Sequence, residues 1–199
     1  MLYLIRHGRT DHNASGLLLG HLDPELDEKG RQQAEAVAKA LPNVDRIISS
    51  PLRRAQQTAE AIARQANIGI EIDERWIELN YGDYDGVPLG SLEPELWQKW
   101  RTDLDFRPPN GESMRELAKR IDGAMQSLAV YQNDPSISTA VVTHVSPLKS
   151  AVCWSMGVDD LVAWRLWVTN ASITVVDLTK HGAVVRTFND TSHLGELHS

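Results

Sequence analysis

Only one cysteine, Cys153, stands in the 199 residues, so no internal disulfide can form and nothing suggests a small secreted scaffold. Cys153 itself reads as a small buried hydrophobe rather than a nucleophile. No apolar run reaches the ~20 residues that a membrane-spanning helix needs. The most apolar stretch, 139–158, is interrupted by His144 and Lys149. Positive charge is also scarce. Against 27 Asp and Glu stand 20 Lys and Arg, a net charge of −7, whereas coating a nucleic acid requires a basic surface. Neither a nucleic-acid partner nor a membrane is therefore expected. The seven histidines show no zinc spacing such as His-Glu-x-x-His, and there is no Walker-type glycine loop with its lysine. The run Leu2-Tyr3-Leu4-Ile5 already reads as structure, which leaves no signal peptide and makes a cytoplasmic protein the expectation.

Hydrophobic periodicity gives the element order. Residues 2–6 read as a buried strand ended by Gly8. After Asp27, apolar positions at Ala34, Val37, Ala38 and Leu41 predict a helix over 28–41 that Pro42 stops. Strands are expected at 46–49 and 68–72, flanking an amphipathic helix over 52–66. Further helices are expected at 91–101, 112–131 and 147–156, and further strands at 139–143, 173–178 and 184–188. Alternating strands and helices imply a mostly parallel sheet covered on both faces, a three-layer α/β/α sandwich. Lys180-His181-Gly182 signals a hairpin, so one antiparallel edge strand is expected. No repeat or linker divides the chain, which reads as one domain over 1–199. The segment 74–111, rich in Gly and Pro, is expected to fold as a cap over the site.

Ligands of open α/β sheets bind beyond the carboxyl ends of the strands. There the first strand ends in Arg6-His7-Gly8, the second runs into Ser49-Ser50-Pro51-Leu52-Arg53-Arg54, and the strand over 139–143 ends in His144. Each residue alone has an ordinary reading: a structural His, a solvated Arg. Gathered at one edge, two His and two Arg repel each other unless an anion belongs between them. A phosphate dianion is the economical choice, because guanidinium forks match its oxygens.

The segment Arg6-His7-Gly8-Arg9-Thr10-Asp11-His12-Asn13 resembles the signature of the histidine phosphatase superfamily, which also contains the cofactor-dependent phosphoglycerate mutases. The resemblance continues through Gly20-His21-Leu22-Asp23-Pro24-Glu25-Leu26, Ser49 to Ala59, Glu78 with Tyr81 to Gly86, Asn110-Gly111-Glu112-Ser113 and Val142-Thr143-His144. It implies a phosphoglycerate mutase-like fold and a small-molecule phosphate monoester as substrate. It also implies that His7 is the phosphorylated nucleophile, that Arg6, Arg54 and His144 are phosphate ligands, and that Glu78 is the proton donor. Asn13 matches a residue that touches phosphate or substrate, while Arg53 falls at a variable, solvent-facing position. The residue after the second histidine, usually Gly, is Val145 here. Its backbone N–H is expected to remain free to face the phosphate.

The chemistry implied needs a neutral His7, its pKa lowered by two guanidiniums and its second nitrogen held by a backbone carbonyl. Two arginines supply the neutralising charge, so neither metal nor cofactor is expected. A mutase would share every catalytic residue. The roughly thirty residues between Glu78 and the 108–113 block match the phosphatase branch rather than the longer mutase insertion. A catalytically weak regulatory or binding member would be expected to lack the nucleophile or an arginine. His21, Leu18 and Trp97 are expected to frame the substrate mouth. Trp97 and Trp100 fit either an apolar wall for the leaving group or packing of the cap. Trp154, Trp164 and Trp167 fit either core or the surface of a homodimer.

Overall fold

The structure, a computed structural model, describes residues 1–131 and 137–198. Its strands are β1 (Leu2–Arg6), β2 (Arg46–Ser49), β3 (Ile70–Ile72), β4 (Thr139–Thr143), β5 (Ile173–Thr179) and β6 (Gly182–Asp190). Its helices are α1 (Asp11–Ala14), α2 (Glu28–Ala40), α3 (Arg53–Ala66), α4 (Pro94–Thr102), α5 (Met114–Tyr131) and α6 (Val145–Met156). One six-stranded sheet runs in the order β3-β2-β4-β1-β5-β6. The first four neighbours are parallel, β5 is antiparallel to β1, and β6 is antiparallel to β5. The hairpin of β5 and β6 therefore forms the expected antiparallel edge, with β6 as the edge strand.

Strand periodicity sorts the core into two layers. Leu2, Leu4, Ile48, Val141 and Val176 face α5 and α6, against Leu117, Ile121, Met125, Leu148 and Val152. Ile5, Ile47, Ala140, Val142 and Ile173 face α2 and α3, against Val37, Ala38, Ala59 and Ile62. A third cluster of Leu18, Leu92, Leu96 and Trp100 holds the 74–111 segment together. Trp100 is fully buried among the rings of Tyr81, Tyr84, Trp97 and Phe106, so it packs the 74–111 segment rather than walling the cavity. Trp154 donates to Asp122, and Trp167 is 77% exposed.

Element boundaries depart from expectation where local chemistry intervenes. Asn67 in the left-handed region (φ 55°) ends α3, and Ile68 N–H bonds back to Ala63, so β3 starts at Ile70 rather than Ile68. Helix α6 begins at Val145, two residues before the expected Pro147. Proline is tolerated there because the first N–H groups of a helix have no intrahelical partner. Helix α5 starts after Ser113, whose Oγ accepts Glu116 N–H while the Glu116 carboxylate accepts Ser113 N–H, a capping box.

Two glycines bring the first strand's exit against the sheet-covering helix. A Cβ at Gly30 would lie 2.0 Å from Arg9 O, and one at Gly8 would lie 2.4 Å from Gly30 O. Only bare backbone lets α2 approach this closely.

Candidate active site

Register places the two histidines. Arg6 pairs with Thr143 across the parallel β1–β4 ladder, so His7 and His144 are the next residue on each strand. His7 N–H donates to Thr143 O at 2.9 Å, and the two ring centroids lie 5.1 Å apart. Ser50, just past β2, donates its N–H to Val142 O and places its hydroxyl 2.6 Å from His144 Nε2. Arg54 enters from the first turn of α3, and Glu78 from the loop after β3.

His7 has its Nδ1 2.6 Å from Gly8 O, as the expected backbone anchor requires. Nδ1–H donates there, which leaves Nε2 as the free nitrogen. Burial pushes the His7 pKa well below its ordinary value, Arg54 and Arg6 lower it further, and the Gly8 bond opposes them. Burial also holds His144 well below the ordinary range, with Arg54, His7 and Arg6 adding to it. Both rings are thus neutral at neutral pH. Desolvation, rather than the guanidiniums alone, is the main cause.

Arg54 is fully buried, yet no carboxylate among the described residues lies in ion-pair range of it or of Arg6. Backbone carbonyls anchor both instead. Arg54 donates to Leu22 O and Gly20 O at 2.7 Å each, and Arg6 to Val168 O at 2.7 Å. Burial lowers each guanidinium pKa to about 10, so both remain cations. Arg6 Nε, Arg54 Nε and His144 Nδ1 are buried without a partner among the described residues. Arg53, by contrast, is exposed and paired with Glu25.

Glu78 is buried, and its carboxylate accepts three backbone N–H groups: Leu79 at 2.7 Å, Val145 at 3.0 Å and Ser146 at 3.1 Å. The last two are the first N–H groups of α6, so Glu78 caps that helix. This corrects the expectation that Val145 N–H stays free for phosphate. The Glu78 carbonyl is held as well, accepting from His21 Nε2 at 2.9 Å and Arg120 Nη2 at 3.1 Å. Arg120 is itself paired with Glu112 at 2.8 Å. Sequence reasoning missed Arg120, Ser50 and Thr58, whose Oγ1 accepts Gly8 N–H at 3.0 Å. Their residue types and spacing do not set them apart from ordinary helix or loop positions.

A cavity of about 400 Å³ opens over this edge. Arg6, His7, Asn13, Glu78, Leu18 and Trp97 line it. His21 does not; its ring is occupied by the Glu78 carbonyl. Arg54 and His144 are fully buried; the His144 ring lies against that of His7, which lines the cavity, and Arg54 acts electrostatically on both rings. Asn13 Oδ1 is taken by Thr10 and by Asn170 Nδ2 at 3.2 Å. Burial pushes the Cys153 thiol up to about 12, so it offers no nucleophile.

A buried neutral imidazole, two arginines with no carboxylate in ion-pair range among the described residues and a capped carboxylate at the carboxyl edge of a sheet make an α/β site suited to phosphoryl groups. Residues 2–191 match the model of the histidine phosphatase superfamily (branch 1), and the chain belongs to that family. It is 31% identical to phosphoserine phosphatase 1 of Hydrogenobacter thermophilus, over 99% of this chain and 95% of that one. It is 37% identical to a probable phosphoglycerate mutase of Cronobacter sakazakii, over 97% and 94%. Among solved structures it resembles a mycobacterial glucosyl-3-phosphoglycerate phosphatase complexed with VO3, with 27% identity, a TM-score of 0.88 and coverage of 96% and 99%. It also resembles the phosphoserine phosphatase of Entamoeba histolytica in complex with 3-phosphoglyceric acid, with 30% identity, a TM-score of 0.87 and coverage of 97% and 98%. No helix among the described residues is long and apolar enough to cross a membrane.

Proposed function

We propose that this chain hydrolyses a small phosphorylated metabolite through a phosphohistidine intermediate on His7. The observation that carries this reading is the fully buried Arg54 with no carboxylate in ion-pair range among the described residues; Glu78, Asp23 and Asp85 act on it only from farther off. A buried charge without a direct ion pair is costly unless a ligand compensates it. A phosphoryl group would supply the missing acceptor for Arg54 Nε, Arg6 Nε and His144 Nδ1. Ser50 would donate its hydroxyl proton to His144 Nε2, leaving the ring proton on Nδ1 for the phosphate.

In the first half-reaction, His7 Nε2 forms a bond to phosphorus as the ester P–O bond breaks. Glu78 gives its proton to the leaving oxygen. Arg6, Arg54 and His144 stabilise the charge on the equatorial oxygens. In the second, Glu78 takes a proton from water, the water oxygen bonds to phosphorus, and the Nε2–P bond breaks. Inorganic phosphate leaves and both groups return to their starting states. The two cations do the neutralising, so no step is routed through a metal. A cytoplasmic setting is part of this reading, in keeping with the lone buried Cys153.

The test is phosphate release from p-nitrophenyl phosphate, together with acid-labile, base-stable label on the chain after a rapid quench. Turnover retained in His7→Ala would refute the reading. Mutase-type transfer is a second reading, favoured by the likeness to the Cronobacter protein. It requires activity that depends on a bisphosphorylated primer, with little net phosphate release.

A further inference from the structure

Lys149 lies one turn along α6 from Val145, on the same face, and both line the cavity. It makes no hydrogen bond and no ion pair among the described residues. Met114, Ala163, Trp164 and Val168 line the same cavity, and partial burial lowers the Lys149 pKa. The nearest acidic influence is Glu78, whose carboxylate is already committed to three N–H groups. The other basic residues expected nearby are engaged outside the cavity. Arg101 lies over the Trp97 ring, Lys99 over Phe106, and Arg107 pairs with Glu116.

The wall beyond the phosphate end is apolar and aromatic. Trp97 and Trp164 meet edge to face at 6.2 Å, and Trp167 stands 77% exposed at the same cavity. Trp164 Nε1 is a further buried donor without a partner among the described residues. An unpartnered ammonium in such a wall is an expense that folding alone does not return.

We propose that Lys149 sets substrate specificity by taking one carboxylate on the leaving portion of the ester, whose ring-sized apolar body rests against Trp97, Trp164 and Trp167. A single ammonium matches a monoanion better than a second phosphate dianion, which would call for a guanidinium pair of the kind seen at His7. The proposal rests on the phosphomonoesterase reading above.

The test compares carboxyphenyl phosphates, meta and para, with the matching carboxamidophenyl phosphates, which keep the shape and lack the charge. The readout is the ratio of kcat/KM for acid over amide. The native protein should favour the acid by roughly ten- to a hundredfold, the range of a charged hydrogen bond. Lys149→Arg should keep the preference. Lys149→Met and Lys149→Gln should bring the ratio near one, and the pair guards against one variant failing to fold. A native ratio near one, or a preference that survives in both neutral variants, overturns the proposal while p-nitrophenyl phosphate turnover leaves the hydrolase reading intact. A purely structural lysine would move both rates together and leave the ratio unchanged, which also overturns it. Absence of phosphate release from every ester would instead sink the underlying reading, and this one with it.

Discussion

The carboxylate of Glu78 accepts the backbone N–H of Val145 at 3.0 Å, so the proposed proton donor and the helix that follows the second histidine are one hydrogen-bonded unit. The carboxyl group is therefore held at the opening of α6. The unit ties the loop after β3 to the strand end at β4.

Glu78→Gln tests that unit directly. The amide can still accept at one position, but its NH2 must face N–H donors at the other. Stability is expected to fall by roughly 1–3 kcal/mol for the lost bond and the unsatisfied donors. Alkyl phosphates should slow by about 10²–10⁴-fold, the usual share of general acid catalysis. p-Nitrophenyl phosphate, with its good leaving group, should slow far less. Steady-state rates on both substrates check this, and equal losses would remove Glu78 from the donor role.

Ligand binding should stabilise the protein through Arg54. With vanadate or phosphate at about 100 times Kd, thermal or urea unfolding should show about 2.7 kcal/mol of added stability. In Arg54→Ala the stabilisation should largely vanish, and kcat should drop by at least about 10²-fold. A variant as strongly stabilised as the native chain would show that the buried guanidinium does not meet the anion.

The two histidines set an acid limit on stability. Their folded pKa values lie well below the ordinary 6.5, mainly through burial. The unfolded rings therefore bind protons that the folded rings refuse. The stability associated with each ring is fully present above 6.5 and is lost as the pH falls below it. Each ring should contribute a slope of about 1.4 kcal/mol per pH unit in that window. Urea unfolding between pH 7 and 5 reads it, and His144→Gln should flatten the profile by one ring's share. A variant profile parallel to the native one would contradict the burial argument.

Gly30→Ala should be costly although the residue lies at the start of α2, far from any charge transfer. Its Cβ would meet Arg9 O at 2.0 Å, so α2 must withdraw from the loop that carries His7. A loss of about 1–3 kcal/mol is expected from overpacking, together with weaker turnover. A melting temperature equal to the native one would mean that the loop yields without strain.

The element order and the strand ends carrying Arg6, His7 and His144 were legible in the residues, because hydrophobic period and helix stops act over a few positions. His7, Arg6, Arg54, His144 and Glu78 could be named from sequence blocks alone. His21 could be named too, but its ring serves the Glu78 carbonyl rather than the cavity, since only packing decides where an exposed loop side chain turns. The same holds for Trp100, which is buried in the 74–111 segment, and for Val145, whose N–H goes to a carboxylate 67 residues away. Arg120 and Lys149 are both helix cations to the eye. Arg120 is clamped by Glu112 behind Glu78, and Lys149 lines the cavity with no ion pair among the described residues. The chain by itself determined the element order and that His7 and His144 follow the ends of two strands. Which charges are paired, and which are left for a substrate, was decided only when distant segments met, because the energy of a charge depends on what surrounds it rather than on its neighbours in sequence.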